Sequence, residues 1–120
     1  MQPFLDLATA LSDPARVRTL AALREGELCL CHLIALLELA PSTVSKHLDL
    51  LVRAGLVQRR KQGRWAYFCL AGRAAPPLVR QALRWALEAI KQDAAVLQDT
   101  KRLRDLRCCD PKELAACYKS

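Results

Sequence analysis

The chain has 120 residues, enough for one compact domain, and its 52% hydrophobic content includes no charge-free run near the ~20 residues that cross a bilayer. The formal charge is +7, and the N-terminus MQPFLDLATALSDPAR carries Asp6 early without a basic start or small-residue cleavage site, so a membrane span and a secretory leader are both unexpected and the cytoplasm is the predicted compartment. Six cysteines fall short of a secreted disulfide scaffold, and in a reducing compartment they are thiols available to soft ions.

Phe4, Leu5, Leu7, Ala8 and Leu11 recur at helical spacing and predict a short amphipathic helix from Pro3 to Leu11. Asp13-Pro14 opens a second helix: the aspartate accepts an orphan amide, and proline suits the first position because its missing donor had no partner there. Val17, Leu20, Ala21 and Leu23 form its buried face and Gly26 its stop. A third helix is predicted from about Cys29 to Glu38, with Leu30, Leu33, Ile34 and Leu37 inward. Leu39-Ala40-Pro41 leaves room only for a tight turn before a fourth helix, N-capped by Ser42 and stopped by Gly55, that buries Val44, Leu48, Leu51 and Val52. Thr43, Ser45, Lys46 and His47 then face outward from its first turn, as the second helix of a helix-turn-helix requires for the major groove.

From Val57 the period becomes alternating, with Trp65, Tyr67 and Cys69 on one face and Ala66, Phe68 and Leu70 on the other. Gln62-Gly63 signals the turn of a hairpin that carries arginines near its tip, and a basic hairpin behind a recognition helix is a wing. Beyond Pro76-Pro77, one helix is predicted as far as Leu106. Val79, Leu83, Ala86, Leu87, Ile90, Ala94 and Leu97 form its apolar stripe, widened by Leu78, Ala82 and Trp85. One small domain rarely covers such a stripe, so a homodimer through this long C-terminal helix and the N-terminal helix is expected. The predicted fold class is mainly α with a β-hairpin wing: a winged helix-turn-helix over residues 1–106, then a cysteine-containing tail over 107–120 that holds Cys108, Cys109 and Cys117.

The basic charge is concentrated. Residues 46 to 64 hold Lys46, Arg53, Arg59, Arg60, Lys61 and Arg64 against Asp49 alone, six basic residues to one acidic, which points to a polyanion. The candidate contacts to double-stranded DNA are Ser42, Thr43, Ser45, Lys46, His47, Lys61 and Arg64, with Thr43 and Ser45 assigned to base edges and the lysines and Arg64 to phosphates. His32 is expected at the surface or as a cap, and Cys69 as a small buried hydrophobe. An enzyme is not expected, since the spacing shows no nucleophile with a base and orienting acid, and the four glycines form no phosphate-cradling loop.

Cys29 and Cys31 raise a geometric question. On an α-helix, residues two apart are separated by about 200° round the axis, so both thiols can hold one ion only if the first turn of their helix unwinds.

The strings Glu27-Leu28-Cys29-Leu30-Cys31-His32-Leu33, Ser45-Lys46-His47-Leu48 and Gln62-Gly63-Arg64-Trp65, in this order and context, resemble the ArsR/SmtB family of winged-helix metalloregulatory repressors, in its arsenic-responsive branch, over roughly residues 3 to 100. The resemblance implies a homodimer on a palindromic operator that is released when As(III) or Sb(III) binds cysteine thiolates, with no organic cofactor. His32 stands where the family commonly has an acid, Ile34 where some members have a third cysteine, and Pro41 where glutamine is frequent. A trithiolate site therefore needs Cys108, Cys109 or Cys117 beside Cys29 and Cys31, from the same or the second subunit. The three tail cysteines could instead form a separate site. A Cd(II), Pb(II) or Zn(II) sensor of the same fold and a thiol redox sensor are the alternatives.

Overall fold

The computed structural model describes residues 1–107: helices packed around a small three-stranded antiparallel sheet. Helix α1 (Gln2–Ala10) and helix α2 (Pro14–Leu23) meet at Asp13, whose extended backbone and carboxylate, accepting the Ala15 amide at 2.8 Å, start α2 as the Asp-Pro pair predicts. Strand β1 (Leu28–Cys29) follows, then helix α3 (Leu30–Leu37). Cys29 is therefore not the first residue of a helix, as expected, but an extended N-cap with φ −71° and ψ 152°.

Helix α4 (Pro41–Arg53) completes a helix-turn-helix. The connection is short because Glu38, the C-cap of α3, adopts the left-handed conformation at φ 56°, which costs a residue with a Cβ about 1 kcal/mol. Its cap lies two residues ahead of the expected one. Ala40 is the N-cap and Pro41 the first helical residue, leaving Ser42 exposed inside the first turn, because proline's fixed φ already matches the helix. At the other end Gly55, at φ 82°, turns the chain where a Cβ would meet Val79 at 3.5 Å.

Strands β2 (Val57–Gln62) and β3 (Trp65–Leu70) form the predicted hairpin, in register from Val57↔Leu70 to Gln62↔Trp65, with Gly63 at φ 62° and Arg64 in its turn. The sheet order is β1-β3-β2, and β1 pairs Leu28 with Phe68 and Cys29 with Tyr67. Two residues are too few to announce a strand by alternation, so β1 leaves no signal in the sequence.

The predicted long C-terminal helix is two helices, α5 (Pro77–Ile90) and α6 (Ala94–Arg107). Asp93 accepts the Ala95 amide at 2.9 Å, which caps a new helix where the stripe suggested continuity. The break turns α6 back onto α2 and α3, burying Val96, Asp99 and Leu103. Arg18 clamps Asp99 through two bonds of 2.7 and 2.8 Å, and Arg102 donates to the carbonyls of Ala35 and Leu36 at 3.2 and 2.9 Å, satisfying acceptors that the end of α3 leaves open. Asp99→Asn is expected to lower stability by about 2 kcal/mol in urea titrations at fixed protein concentration, since it removes the charge that compensates a partly buried guanidinium. That is below the cost of breaking a fully buried pair because Arg18 keeps 27% side-chain exposure.

Leu20, Leu33, Leu36, Val44, Leu51 and Leu56 are fully buried, so the helix-turn-helix grows directly out of the core. Much of the predicted dimer stripe is consumed within the chain: Val79, Leu83 and Ala86 are buried. Leu97 of the stripe stays 46% exposed, and at its margin Trp85, 69% exposed, and Leu78, 44% exposed, face Phe4 of α1, 60% exposed, across an apolar groove of about 510 Å³ between α1 and α5.

Candidate functional site

Two sets of side chains stand out, and one strand joins them. On the first turn of α4, Ser42, Thr43 and Lys46 are exposed and Ser45 and His47 half-buried, while Val44 and Leu48 anchor the opposite face in the core. Lys61 and Arg64, at the far end of the hairpin, are exposed too. Ion pairs sort the basic block. Arg59 pairs with Asp49 and lies over the Phe68 ring at 5.4 Å, and Arg60 pairs bidentately with Glu27 at 2.6 and 3.1 Å and lies over Tyr67 at 4.8 Å. Among the described residues Lys46, Arg53, Lys61 and Arg64 enter no ion pair.

His47 is less independent than its sequence position suggests: its Nδ1 accepts a 2.9 Å bond from Arg16 of α2. Burial opposes ionisation of the neighbouring Asp13, yet the Ala15 amide with the Arg16 charge holds that carboxyl below its ordinary value.

The second set is the thiol pair. Because Cys29 belongs to a strand end and Cys31 to the first turn of α3, no helical rotation separates them, and the Cys31 amide donates to Cys29 Sγ at 3.4 Å. The Cys29 and Cys31 sulfurs and a His32 ring nitrogen all lie within 4.8 Å of one another. The unwinding that the spacing demanded is thus already present in the fold. All three residues are buried, the cysteines to 1% exposure. Burial, and then the adjoining Cys29 sulfur, pushes the Cys31 thiol up to about 12, so it keeps its proton at neutral pH. His32 caps, as expected, with Nδ1 accepting the Cys29 amide at 3.3 Å, but it is not at the surface. The position three residues after Cys29 was the available sign, since that is the reciprocal position of a capping box.

Cys69 is half-buried on β3, its sulfur 4.0 Å from Gln58 Oε1 and apart from the cluster. Cys108, Cys109 and Cys117 lie outside the described residues. Strand β1 and the residue before it are fastened to the hairpin in two ways, through the Cys29↔Tyr67 backbone pairing and through the Glu27–Arg60 ion pair. No helix among the described residues is long and apolar enough to cross a membrane.

Residues 13–59, which include the helix-turn-helix, match the family described as bacterial regulatory protein, arsR family. A 61-residue stretch is 46% identical to the arsenic resistance transcriptional regulator ArsR1 of Pseudomonas putida, covering 50% of this chain and 48% of that one, so the match spans about half of that relative. The similarity to ArsR2 of the same organism, another arsenic resistance transcriptional regulator, extends over 111 residues at 35% identity and covers 87% of this chain and 96% of the other. In three dimensions the chain is similar to HlyU from Vibrio cholerae, with a TM-score of 0.63 at 27% identity over 76% of this chain and 95% of HlyU. A winged helix-turn-helix whose sequence aligns with a regulator over nearly the whole of both chains belongs to the arsR family of bacterial regulatory proteins.

Proposed function

We propose that this protein is a transcriptional repressor that binds a palindromic operator as a homodimer and leaves it when As(III) or Sb(III) is taken up by Cys29 and Cys31. The observation that carries the reading is the buried Cys29-Cys31-His32 cluster, set at the start of the first helix of the helix-turn-helix and tied by β1 to the hairpin. Soft trivalent ions select thiolates, and two sulfurs this close form a bidentate grip without rebuilding α3. A third thiolate comes from Cys108, Cys109 or Cys117, in the same or the partner subunit.

Ser42, Thr43, Ser45, Lys46 and His47 supply the major-groove face, and Lys61 and Arg64 the flanking phosphate contacts. The exposed groove between α1 and α5 supplies the dimer contact, an apolar surface of a kind that monomers seldom leave open. Ligands around one ion sit about 4 Å apart or less. Drawing the cluster together would move β1 against β3, and through them the wing. Fluorescence anisotropy of labelled DNA from upstream of the protein's own gene, titrated first with protein and then with arsenite, tests the reading. Tight binding that arsenite does not reverse would reject it.

His32 supports a second reading, since two sulfurs and an imidazole also suit a borderline divalent cation such as Zn(II) or Cd(II). The Cys31 thiol separates the two. A divalent cation must expel its proton, so its apparent affinity rises at least about tenfold per pH unit between pH 6 and 8. Neutral As(OH)3 exchanges one hydroxyl for each thiol and releases water, R–SH + As(OH)3 → R–S–As(OH)2 + H2O, so its affinity stays flat over the same range. Competition titrations at three pH values show which slope applies. A protonated, buried thiol also speaks against this pair as a redox sensor, which needs an accessible thiolate.

A further inference from the structure

Arg16 has no role in the reading above, yet it is one of the few buried charges among the described residues, at 8% exposure. Its guanidinium meets three acceptors. Nε donates to the Ala10 carbonyl at 3.1 Å and one terminal nitrogen to the Thr9 carbonyl at 2.9 Å, both at the end of α1, while the other reaches His47 Nδ1 at 2.9 Å. Arginine only donates, so the Nδ1 that receives its bond must offer a lone pair, and in the neutral ring the proton then sits on Nε2. Phosphate oxygens only accept. A histidine on a DNA-facing helix helps binding if its free nitrogen carries hydrogen and hinders it if that nitrogen presents a lone pair.

We propose that Arg16 is a positioning residue for DNA binding: anchored on the carbonyl end of α1, it locks His47 in the Nε2–H tautomer and fixes the ring, so that α4 presents a ready donor to the DNA backbone. The inference rests on the reading of His47 as a DNA contact. It adds a buried residue 31 positions away in sequence to the binding machinery. The carbonyl end of α1 carries partial negative charge, which stabilises the guanidinium without a carboxylate bonded to it. Arg16 is thus held from one side and aims one terminal nitrogen at His47.

The chain has only two histidines, so imidazole ¹⁵N spectra of uniformly labelled protein near pH 8 hold two ring signatures, and His47→Gln assigns them by subtraction. The expected wild-type spectrum shows His47 Nδ1 as the unprotonated nitrogen and Nε2 as the protonated one, both free and on operator DNA. An Nδ1–H signature in either state overturns the proposal without any variant. Arg16→Lys is expected to mix the tautomers and weaken operator binding about tenfold, the scale of one hydrogen bond to a charged group. His47→Gln, whose amide both accepts from Arg16 and donates outward, should stay within about threefold of wild type, whereas His47→Phe should lose about tenfold. Unchanged affinity in His47→Phe would show that His47 does not contact DNA and remove both readings. A loss in His47→Phe alongside a folded Arg16→Lys with wild-type tautomer and affinity would overturn the positioning role alone.

Discussion

Cys29→Ser is expected to bind operator DNA as tightly as the wild type and to lose its release by arsenite, with at least a 100-fold rise in the concentration needed, on the order of what the loss of a metal-site residue costs. This substitution is unusually clean. Cys29 is the N-cap of α3, its sulfur accepting the amide of Cys31, and serine is among the best residues for that position. The fold should therefore keep its stability while the soft ligand disappears. Cys31→Ser should lose the response equally, but it places a hydroxyl at a site with 1% exposure, so a destabilisation of about 1 to 2 kcal/mol accompanies it. Anisotropy titrations and ultraviolet absorbance on arsenite addition read release and sulfur coordination separately. If both serine variants respond normally and changing Cys108, Cys109 or Cys117 abolishes the response, the ion sits in the tail and the Cys29-Cys31 assignment is wrong.

Trp85→Glu is expected to turn the proposed dimer into a monomer and, with it, to weaken operator binding by at least about 100-fold. Trp85 is 69% exposed on α5 beside Leu78, facing Phe4 and Leu7 of α1 and the following Leu11 across the apolar groove. Covering an indole contributes about 2 to 3 kcal/mol, and a two-fold interface buries it twice. Losing about 4 to 6 kcal/mol raises a dimer dissociation constant by roughly a thousandfold or more. Sedimentation velocity across a concentration series measures this directly, and a variant that dimerises like wild type would assign the contact to another surface. Phe4→Glu should act in the same direction, because Phe4 lines the same groove from α1.

Local chemistry made much of this protein legible. Asp13-Pro14 predicts the start of α2, Gln62-Gly63 the hairpin turn, and the apolar spacing from Val44 to Val52 the face of α4 that leaves Thr43 and Lys46 outward. Each is a signal carried within a few residues. The errors share a cause as well. The sequence places Cys29 on a helix because Leu30 to Leu37 is helical and the strand before it is two residues long. Its extended backbone is held by Phe68 and Tyr67, about forty residues further on. The long C-terminal stripe was read as one rod because its apolar spacing continues through Ala94 and Leu97, while the capping bond of Asp93 and the burial of Asp99 against Arg18 favour two helices. Ser42 lost the cap to the backbone geometry of Pro41.

The sequence alone determined the kind of molecule: a short basic chain with a helix-turn-helix, a basic hairpin and closely spaced thiols, because periodicity, capping and charge are properties of neighbouring residues. The tertiary structure decided which of those groups act together. It set Cys29, Cys31 and His32 within 4.8 Å, joined Glu27 to Arg60, and brought Arg16 to His47. Those meetings depend on how strands pair and helices cross, and contacts between residues 31 or 33 apart leave no periodic trace along the chain.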